Sequence, residues 1–341
     1  MSTNTSFRLA LLAVFLLACG PSSGQVTSSP RPSTTIVPTP TVPAARGYAG
    51  MVTATPDSGV LLFGGFSLHP QTGDWLPDLW SYSRAAGWRR LASERSAPPP
   101  GDGFSYRAKS SSAVFLDGAG LTWRFDAATG HWQSHQGNGG PALHGIHMVY
   151  DSGADRFIVF SGDNSRTIFD KTYAYDEGGN AWVQMQPKTK PPGRTFYAIA
   201  YDTKADRIIL FGGSSDSGRL DDTWTYDFNH DVWTQMKPRT SPAARDYSAM
   251  TYDPVGDRVL LFGGATEGEL PQGDLWSYDL NKNTWTELKP SGERPSARGW
   301  HVMAFDSQAS EAVLFGGGPD RDSYNNEVWT YDLRGNSWTR G

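Results

Sequence analysis

Residues 245–264 read RDYSAMTYDPVGDRVLLFGG, and after a loop residues 274–285 read DLWSYDLNKNTW. The first stretch predicts an inner strand of small residues, an Asp-rich turn and an apolar second strand that ends at Phe262, before a Gly-Gly pair. The second stretch predicts two further strands, around Trp276 and at Trp285. Such a segment therefore predicts a four-stranded antiparallel sheet.

This segment recurs six times along the chain. The Phe that ends the second strand appears at these positions, the last a degenerate copy: Phe63, Phe160, Phe211, Phe262, Phe315 and Phe115. A Trp ends each unit: Trp88, Trp132, Trp182, Trp233, Trp285 and Trp338. The gaps between successive Trp are 44, 50, 51, 52 and 53 residues, near the ~50 residues of one propeller blade. The repeat predicts six blades.

Composition favours a single all-β domain. The 341 residues include 38 Gly and 23 Pro, and 13% are aromatic, without a sustained helical period. The formal net charge is −5 and the basic residues are scattered. A nucleic-acid partner needs a basic patch, so we expect none.

The N-terminus predicts export. Arg8 precedes an apolar run from Leu9 to Ala18, which is followed by Cys19, the only cysteine. The run is too short to span a bilayer but suits a signal peptide. Its end resembles the lipobox of bacterial lipoproteins, which implies a signal peptide over residues 1–18, lipidation at Cys19 and anchoring in the bacterial cell envelope. The alternative is an ordinary signal that is removed together with its cysteine.

Residues 19–42 are rich in Ser, Thr and Pro and carry few large apolar side chains. Such a segment cannot bury enough surface to order itself, so it predicts an extended tether. With the single cysteine used for the anchor, the domain that follows must be held by its core without disulfides.

The repeat over residues 46–338 resembles the kelch-repeat β-propeller family, through the Gly-Gly after strand two and the aromatics of strands three and four. The resemblance implies a six-bladed propeller over residues 43–341. Blade 2 is degenerate: it lacks the Gly-Gly after Phe115, and only 8 residues separate Phe115 from Trp123. We expect a shortened four-stranded blade, although residues 111–116 could instead form its inner strand. Unless residues near Thr34 to Val37 add a strand to the last blade, we also expect the ring to close by packing, without strand exchange between its ends.

One face of such a propeller should carry recognition. The turns between strands one and two and between strands three and four are short and uniform, whereas the loops after Gly-Gly vary on the opposite face. Arginines open the inner strands at Arg46, Arg194, Arg245 and Arg298, and we place His144 at the equivalent position of blade 3. They either donate to loop carbonyls or form an anion-attracting rim around the pore, a role that the resemblance allows.

Acidic residues at matching positions fit turns better than metals. A carboxylate precedes the third strand at Asp78, Asp222, Asp274 and Glu327, where it can accept backbone hydrogen bonds. The pairs Asp202/Asp206 and Asp253/Asp257 lack the dense Asp array and closing Glu of a calcium loop. We therefore expect no metal and no cofactor.

Departures from the repeat are the best ligand-binding candidates. Blade 1 has the longest loop, with His69 and Trp75, and Trp75 is the one Trp of 13 outside the repeat's aromatic positions. It either anchors that loop or stacks on a ligand beside a notch over blade 2. Trp300 occupies the slot of an inner-strand core aromatic, with His301 beside it.

Two classes of function fit this pattern. The first is a non-enzymatic module that binds a protein or a glycan through the loop-bearing face. The second is an enzyme on the same ring, of the sialic acid mutarotase type. Kelch-like copper radical oxidases need a cysteine within the domain, so that chemistry is excluded. No nucleophile elbow or phosphate loop is present, and no catalytic residue is assigned.

Overall fold

A computed structural model describes residues 41–341, except residues 55–58, 72, 93–96 and 136–138. Six four-stranded antiparallel sheets are arranged around one axis. The one helical segment in these ranges is a 3-10 turn, Glu267–Glu269, and no helix among them is long and apolar enough to cross a membrane. The predicted all-β six-bladed propeller is confirmed. Residues 1–40, with the proposed signal peptide, Cys19 and most of the tether, lie outside the described residues.

Each blade contains four consecutive strands, counted from the axis outward. Blades 1 to 3 contain β1 (Gly50–Thr53), β2 (Val60–Phe63), β3 (Leu79–Ser83) and β4 (Gly87–Ala92); β5 (Gly103–Arg107), β6 (Ser112–Leu116), β7 (Thr122–Asp126) and β8 (His131–His135); β9 (Met148–Asp151), β10 (Arg156–Phe160), β11 (Thr172–Asp176) and β12 (Ala181–Gln184).

Blades 4 to 6 follow the same order, and two of their loops carry short ribbons. They contain β13 (Ala198–Asp202), β14 (Arg207–Phe211), the ribbon β15 (Ser214–Ser215) and β16 (Gly218–Arg219), β17 (Thr223–Asp227) and β18 (Val232–Met236); β19 (Ala249–Asp253), β20 (Arg258–Phe262), the ribbon β21 (Ala265–Thr266) and β22 (Leu270–Pro271), β23 (Leu275–Asp279) and β24 (Thr284–Leu288); β25 (Val302–Asp306), β26 (Glu311–Phe315), β27 (Val328–Asp332) and β28 (Ser337–Arg340).

The second strand of every blade is buried on both faces. Strands β2, β14 and β20 read VLLF, RIILF and RVLLF, and their apolar residues are buried. Alternate residues of one strand face the two adjacent blades, so every residue of the run must be apolar. In an antiparallel sheet with one face in water, apolar and polar residues would alternate instead. Each core cluster accordingly mixes residues of neighbouring blades, as Phe211 and Trp285 do between blades 4 and 5.

The outermost strand fastens each blade to its predecessor. The indole N–H of Trp233 in β18 donates to Thr172 Oγ1 at the start of β11, at 2.9 Å. Trp182 donates in the same way to Thr122, and Trp285 to Thr223. These three fourth-strand Trp therefore pack between blades and also make a hydrogen bond across the junction.

Uniform turns cover the face opposite the variable loops. In blade 4 the Asp202 carboxylate accepts the backbone N–H groups of Lys204 and Ala205, and Tyr201 donates its hydroxyl to Asp206. Asp206 itself has a φ of 55°, a left-handed conformation that Asp tolerates. The same Tyr-to-Asp hydrogen bond recurs at Asp155 and Asp257. These acids complete turns.

Blade 2 has four strands in the favoured order, so the alternative that made residues 111–116 its inner strand is wrong. The register corrects one assignment, because Leu116, not Phe115, pairs with Gly103 and Thr122 as Phe211 pairs with Ala198 and Thr223. The degenerate motif is therefore one residue further along than the sequence suggested.

The ring closes without strand exchange among the described residues. Strands β1 to β4 form one sheet and β25 to β28 another, and β1 contacts β25 as each inner strand contacts the next. Backbone hydrogen bonds cross this junction, from Gly317 N to Arg46 O and from Tyr48 N to Trp300 O. The described sheets fit closure by packing, and residues 34–37, which could add a strand to the last blade, lie outside the described residues.

Candidate functional site

A recess opens at the centre of the loop-bearing face, where the channel along the axis meets the loops. Its volume is about 420 Å³. We call it the central recess and define it by an aromatic floor and a charged rim. The floor and the gap in it comprise Tyr48, Phe196, Tyr247, Trp300, Gly101, Asp102 and Gly145; the rim includes His69, His144, Asp163, Arg166, Asp216, Glu269 and Arg321.

Four aromatic residues at equivalent positions form the floor. Phe196 and Tyr247 have ring centroids 4.5 Å apart, and Tyr247 and Trp300 4.8 Å apart. Tyr48 contacts both Phe196 and Tyr247 edge-on. All four residues have φ between 52° and 60°, a costly conformation for a large side chain that persists only where the surroundings enforce it.

A chain of backbone hydrogen bonds around the axis enforces this conformation. Phe196 N donates to Gly145 O at 2.8 Å, Tyr247 N to Phe196 O at 3.0 Å, and Trp300 N to Tyr247 O at 3.2 Å. Tyr48 N continues the chain to Trp300 O at 3.3 Å. Five blades are thereby joined head to tail, and the four aromatic rings lie over the channel.

Blades 2 and 3 leave a gap in this floor. Strand registers place Gly101 and Gly145 where Phe196 lies in blade 4. At the gap, the Asp102 carboxylate accepts the Gly145 N–H at 2.7 Å, in the role that a backbone carbonyl plays in the next three blades. Burial raises the pKa of Asp102, while the charge of His144 acts to lower it.

Of the two alternatives for the inner-strand arginines, the anion-attracting rim is wrong, because these side chains are buried. Arg194 is fully buried and donates to Asp222 through both terminal nitrogens, at 2.6 and 2.9 Å, and to the carbonyls of Gly212 and Pro192. Arg245 pairs with Asp274 in the same way, and Arg298 with Glu327. The sequence predicted that the arginines donate to loop carbonyls, and they do. It predicted that the carboxylates accept hydrogen bonds from backbone groups, whereas they pair with the arginines.

Each of these carboxylates also holds an aromatic residue. Asp222 accepts the indole N–H of Trp224 at 2.7 Å, two residues further along. Burial acts to raise the pKa of Asp222, but the hydrogen bonds and charge of Arg194 outweigh burial and lower it. Arg, carboxylate and Trp thus form a repeated internal brace and are not available to a ligand at the rim.

His144 is not the blade 3 counterpart of these arginines. It forms a backbone bridge with Asp163 that matches the bridge between Thr195 and Ser214 in blade 4. The residue before it, Leu143, therefore takes the arginine position, and His144 is shifted by one toward the recess. It remains a ligand-binding candidate, now as part of the rim beside Asp102.

Trp75 anchors its loop and is not exposed beside a notch. Its indole N–H donates to Pro98 O at 3.0 Å, and its ring packs against Phe63, Phe66 and Phe115. The side chain therefore fills the space above degenerate blade 2. His69, from the same loop, does line the central recess, and burial lowers its pKa.

His301 lies below the floor. It is buried, its ring packs against Phe262, and burial lowers its pKa to about 3. His147 lines the same channel with its pKa lowered by burial to about 4. Within the described ranges no hydrogen bond joins either ring to Asp102.

The sequence reading missed Asp102, which proved central to the recess. The signal was available in the two glycines, Gly101 and Gly145, which stand where other blades carry a large aromatic residue. The repeat pattern did not reveal these glycines, because it places the motifs of blades 2 and 3 one residue out of register. A gap in the floor became visible only from strand pairing.

The opposite mouth of the channel is a second cavity, of about 410 Å³, lined by the inner strands. Three of its tyrosines already donate their hydroxyls to turn carboxylates: Tyr150, Tyr201 and Tyr252. No group of three His, Cys, Asp or Glu residues suited to a metal occurs in the part of the chain that the structure describes. The irregular, charged recess is therefore the better candidate site.

Comparison with known proteins now identifies the architecture. The model of the KLHDC2/KLHL20/DRC7 Kelch-repeats domain matches residues 119–253 and 238–341. The chain belongs to this kelch-repeat family. The kelch domain is 25% identical over 303 residues to Kelch domain-containing protein 2 of Bos taurus, covering 83% of this chain and 66% of that protein.

Other kelch relatives align over shorter stretches. Putative adagio-like protein 2 of Oryza sativa subsp. japonica is 26% identical over 195 residues, 53% of this chain and 30% of that protein. Kelch domain-containing protein 10 of Homo sapiens is 26% identical over 179 residues, 50% of this chain and 39% of that protein. The chain thus spans no more than 66% of the length of these relatives. The kelch propeller supports a protein-interaction module, and these comparisons lend no support to the mutarotase alternative.

Proposed function

We propose that this chain is a kelch module that is displayed on the bacterial cell envelope through a lipid at Cys19 and binds a protein partner in the central recess. The recess carries this proposal: it combines an aromatic floor with charges of both signs on the irregular face. Aromatic residues and arginine dominate protein-binding hot spots, and concave sites with a few polar groups bind ligands best.

The distribution of charge supports the same face. Arg166 and Arg321 are exposed on the loops of blades 3 and 6, and Asp216 and Glu269 on those of blades 4 and 5. A partner of complementary pattern would be oriented by these charges and would gain affinity from the floor. The arginines of the repeat contribute nothing to this pattern, because their guanidinium groups are paired internally.

Recovery of the partner from envelope extract tests the proposal. The domain comprising residues 41–341 would be immobilised as wild type, as Arg321→Glu on the rim, and as Arg334→Glu on an exposed turn of the opposite face. We expect a protein that is retained by wild type and Arg334→Glu and depleted at least about tenfold by Arg321→Glu. Equal retention by all three would contradict recess binding. Capture of a glycan without any protein would mean that the ligand of the recess is a glycan and not a protein.

The anchor has a separate test. Cys19→Ala removes the sulfur that would carry the lipid, and one acyl chain already gives marginal membrane binding while several give firm anchoring. We expect the wild-type chain in the membrane fraction and the variant in the soluble exported fraction. Identical fractionation of the two would contradict lipid anchoring and leave the recess proposal untouched.

A further inference from the structure

The gap in the aromatic floor leads to a small void. This void has a volume of about 40 Å³ and lies beneath Tyr48, Phe196, Tyr247 and Trp300. Asp102 lines both the void and the recess above it. The opening beside Asp102 is bordered by Gly101 and Gly145, which carry no side chain to block it. A narrow group that enters the recess can therefore reach the void.

A hydrogen-bonding group without a partner lines the void. Ser248 is 4% exposed and His301 5% exposed. Among the described residues, the Ser248 hydroxyl has no hydrogen-bond partner, whereas the His301 ring packs against Phe262 of blade 5. Buried polar groups are nearly always hydrogen-bonded in native proteins, and unmade bonds are costly.

The Asp102 carboxylate also lacks a charged hydrogen-bond donor. The hydrogen bond that it accepts within the described ranges comes from the uncharged Gly145 amide. Asp163 stands near enough that its charge acts to raise the pKa of Asp102, and His144 acts in the opposite direction. A half-buried carboxylate of this kind is stabilised by a cation that donates hydrogen bonds to it.

We propose that the gap beside Asp102 is a binding site for a primary ammonium group, supplied by a lysine side chain of the bound protein. An ammonium offers three donors, and the site offers the Asp102 carboxylate and the Ser248 hydroxyl as acceptors. The aromatic floor adds cation–π attraction to a charge passing over it. A guanidinium is planar and larger, so the volume of about 40 Å³ favours lysine over arginine.

Asp102 departs from the residue types that the other blades carry at its position, and this departure supports the ammonium site. The position of Asp102 is occupied by Tyr197 in blade 4 and by Ser248 in blade 5, according to the strand registers. The Tyr197 hydroxyl donates to Phe160 O and so completes its own blade junction. Asp102 instead faces the recess, which is what a specific ligand contact on a pseudo-symmetric ring requires.

The test uses three small probes whose chemistry differs at one point. N-acetyl-lysine methylamide carries the side-chain ammonium, N-acetyl-norleucine methylamide has the same chain without charge, and alanine methylamide carries an α-ammonium. Binding would be followed by NMR titration of the domain, with the Gly145 amide and the Trp300 indole as reporters. We expect saturable binding of the lysine probe, at least about tenfold tighter than norleucine, since a buried charged pair is lost.

Asp102→Asn is the matched variant. Its amide oxygen can still accept the Gly145 N–H, so the floor is retained while the charge is removed. We expect the lysine probe to bind this variant at least about tenfold more weakly than wild type, with Arg334→Ala unchanged. Thermal unfolding of each variant reports whether the fold is preserved. If Asp102→Asn does not fold, the comparison of the lysine and norleucine probes on the wild type decides whether the site binds an ammonium group.

Other outcomes overturn the assignment. Equal binding of lysine and norleucine probes, absence of saturation, or no effect of Asp102→Asn would remove the ammonium site. Tighter binding of alanine methylamide than of the lysine probe would transfer the site to an α-amine. The site rests on the proposed function, yet the two fail separately: a partner retained by Asp102→Asn but lost by Arg321→Glu would leave the recess as the binding surface without this contact.

Discussion

The repeated arginine is the residue on which each regular blade depends. Arg194 brings the start of the inner strand against the end of β14 and the start of β17, because its donors reach Gly212 O and Asp222 together. Four blades contain the arginine–carboxylate pair, at Arg46–Asp78, Arg194–Asp222, Arg245–Asp274 and Arg298–Glu327. Buried pairs contribute little net stability compared with apolar residues, but removal of one partner leaves an unpaired charge.

Arg194→Ala should therefore destabilise the domain strongly. We expect the free energy of unfolding to fall by about 3 to 5 kcal/mol, the cost of leaving Asp222 buried without its cation. Urea denaturation measures this loss. The exposed pair Lys204–Asp257, with Lys204 69% exposed, is the control, and Lys204→Ala should cost less than about 1 kcal/mol. Similar losses at both sites would contradict a structural brace.

Buried imidazole in the channel makes the domain sensitive to acid. Burial lowers the pKa of His147 from 6.5 to about 4. Between these values the unfolded chain binds a proton that the folded chain does not, so the contribution of His147 to stability is present above about pH 6.5 and is lost as the pH falls toward about 4.

His147→Ala should reduce this acid sensitivity. The strand register places His147 where blades 4 and 5 carry Ala198 and Ala249, so the smaller residue fits the position. Between pH 7 and pH 5 we expect the wild type to lose up to about 2 kcal/mol more stability than the variant, at about 1.4 kcal/mol per pKa unit. Urea unfolding at several pH values measures the difference, and parallel profiles would show that His147 does not stay neutral in the fold.

At the scale of the element, the fourth strand holds one blade to the next. Trp233 reaches Thr172 of the preceding blade, whereas Trp132 of blade 2 faces a blade that has Leu79 at that position, and its indole nitrogen has no partner among the described residues. The junctions whose preceding blade carries Thr122, Thr172 or Thr223 therefore contain a hydrogen bond that the junction between blades 1 and 2 lacks.

Thr172→Val should show how much the hydrogen bond between Trp233 and Thr172 contributes to stability. Valine keeps the shape of threonine but cannot accept the Trp233 N–H, so we expect a loss of about 1 to 3 kcal/mol from the unsatisfied donor. Thermal or urea unfolding measures it. Thr172→Ser retains the hydroxyl and should recover most of the hydrogen-bond energy, so equal losses in the two variants would assign the effect to packing instead.

Most of these elements were predictable from sequence. The apolar second strands, the Gly-Gly pairs and the aromatic spacing depend on local chemistry that repeats, so they were predicted from residues alone. The pairing of Arg194 with Asp222 was not, because the two lie 28 residues apart and meet only when the sheet forms. The positions of Leu116 and His144 were missed by one residue, since pattern matching fixes strand register poorly where Gly-Gly is absent.

At the scale of the whole molecule, six sheets around one axis produce two different ends. One end has uniform turns whose acids are used by their own tyrosines and backbone amides, and the other has loops that differ in every blade. The aromatic floor closes the channel between them, except beside Asp102. Recognition is therefore assigned to the loop-bearing end, where the symmetry of the repeat is broken.

Site-specific photo-cross-linking in the native cell tests that assignment most directly. Benzoylphenylalanine would replace Arg166, Glu269 or Arg321 on the recess rim and, as controls, Lys204, Lys282 or Arg334 on the opposite face. We expect protein adducts from the three rim positions and only background from the three controls. Adducts from the opposite face with a silent rim would contradict binding through the central recess.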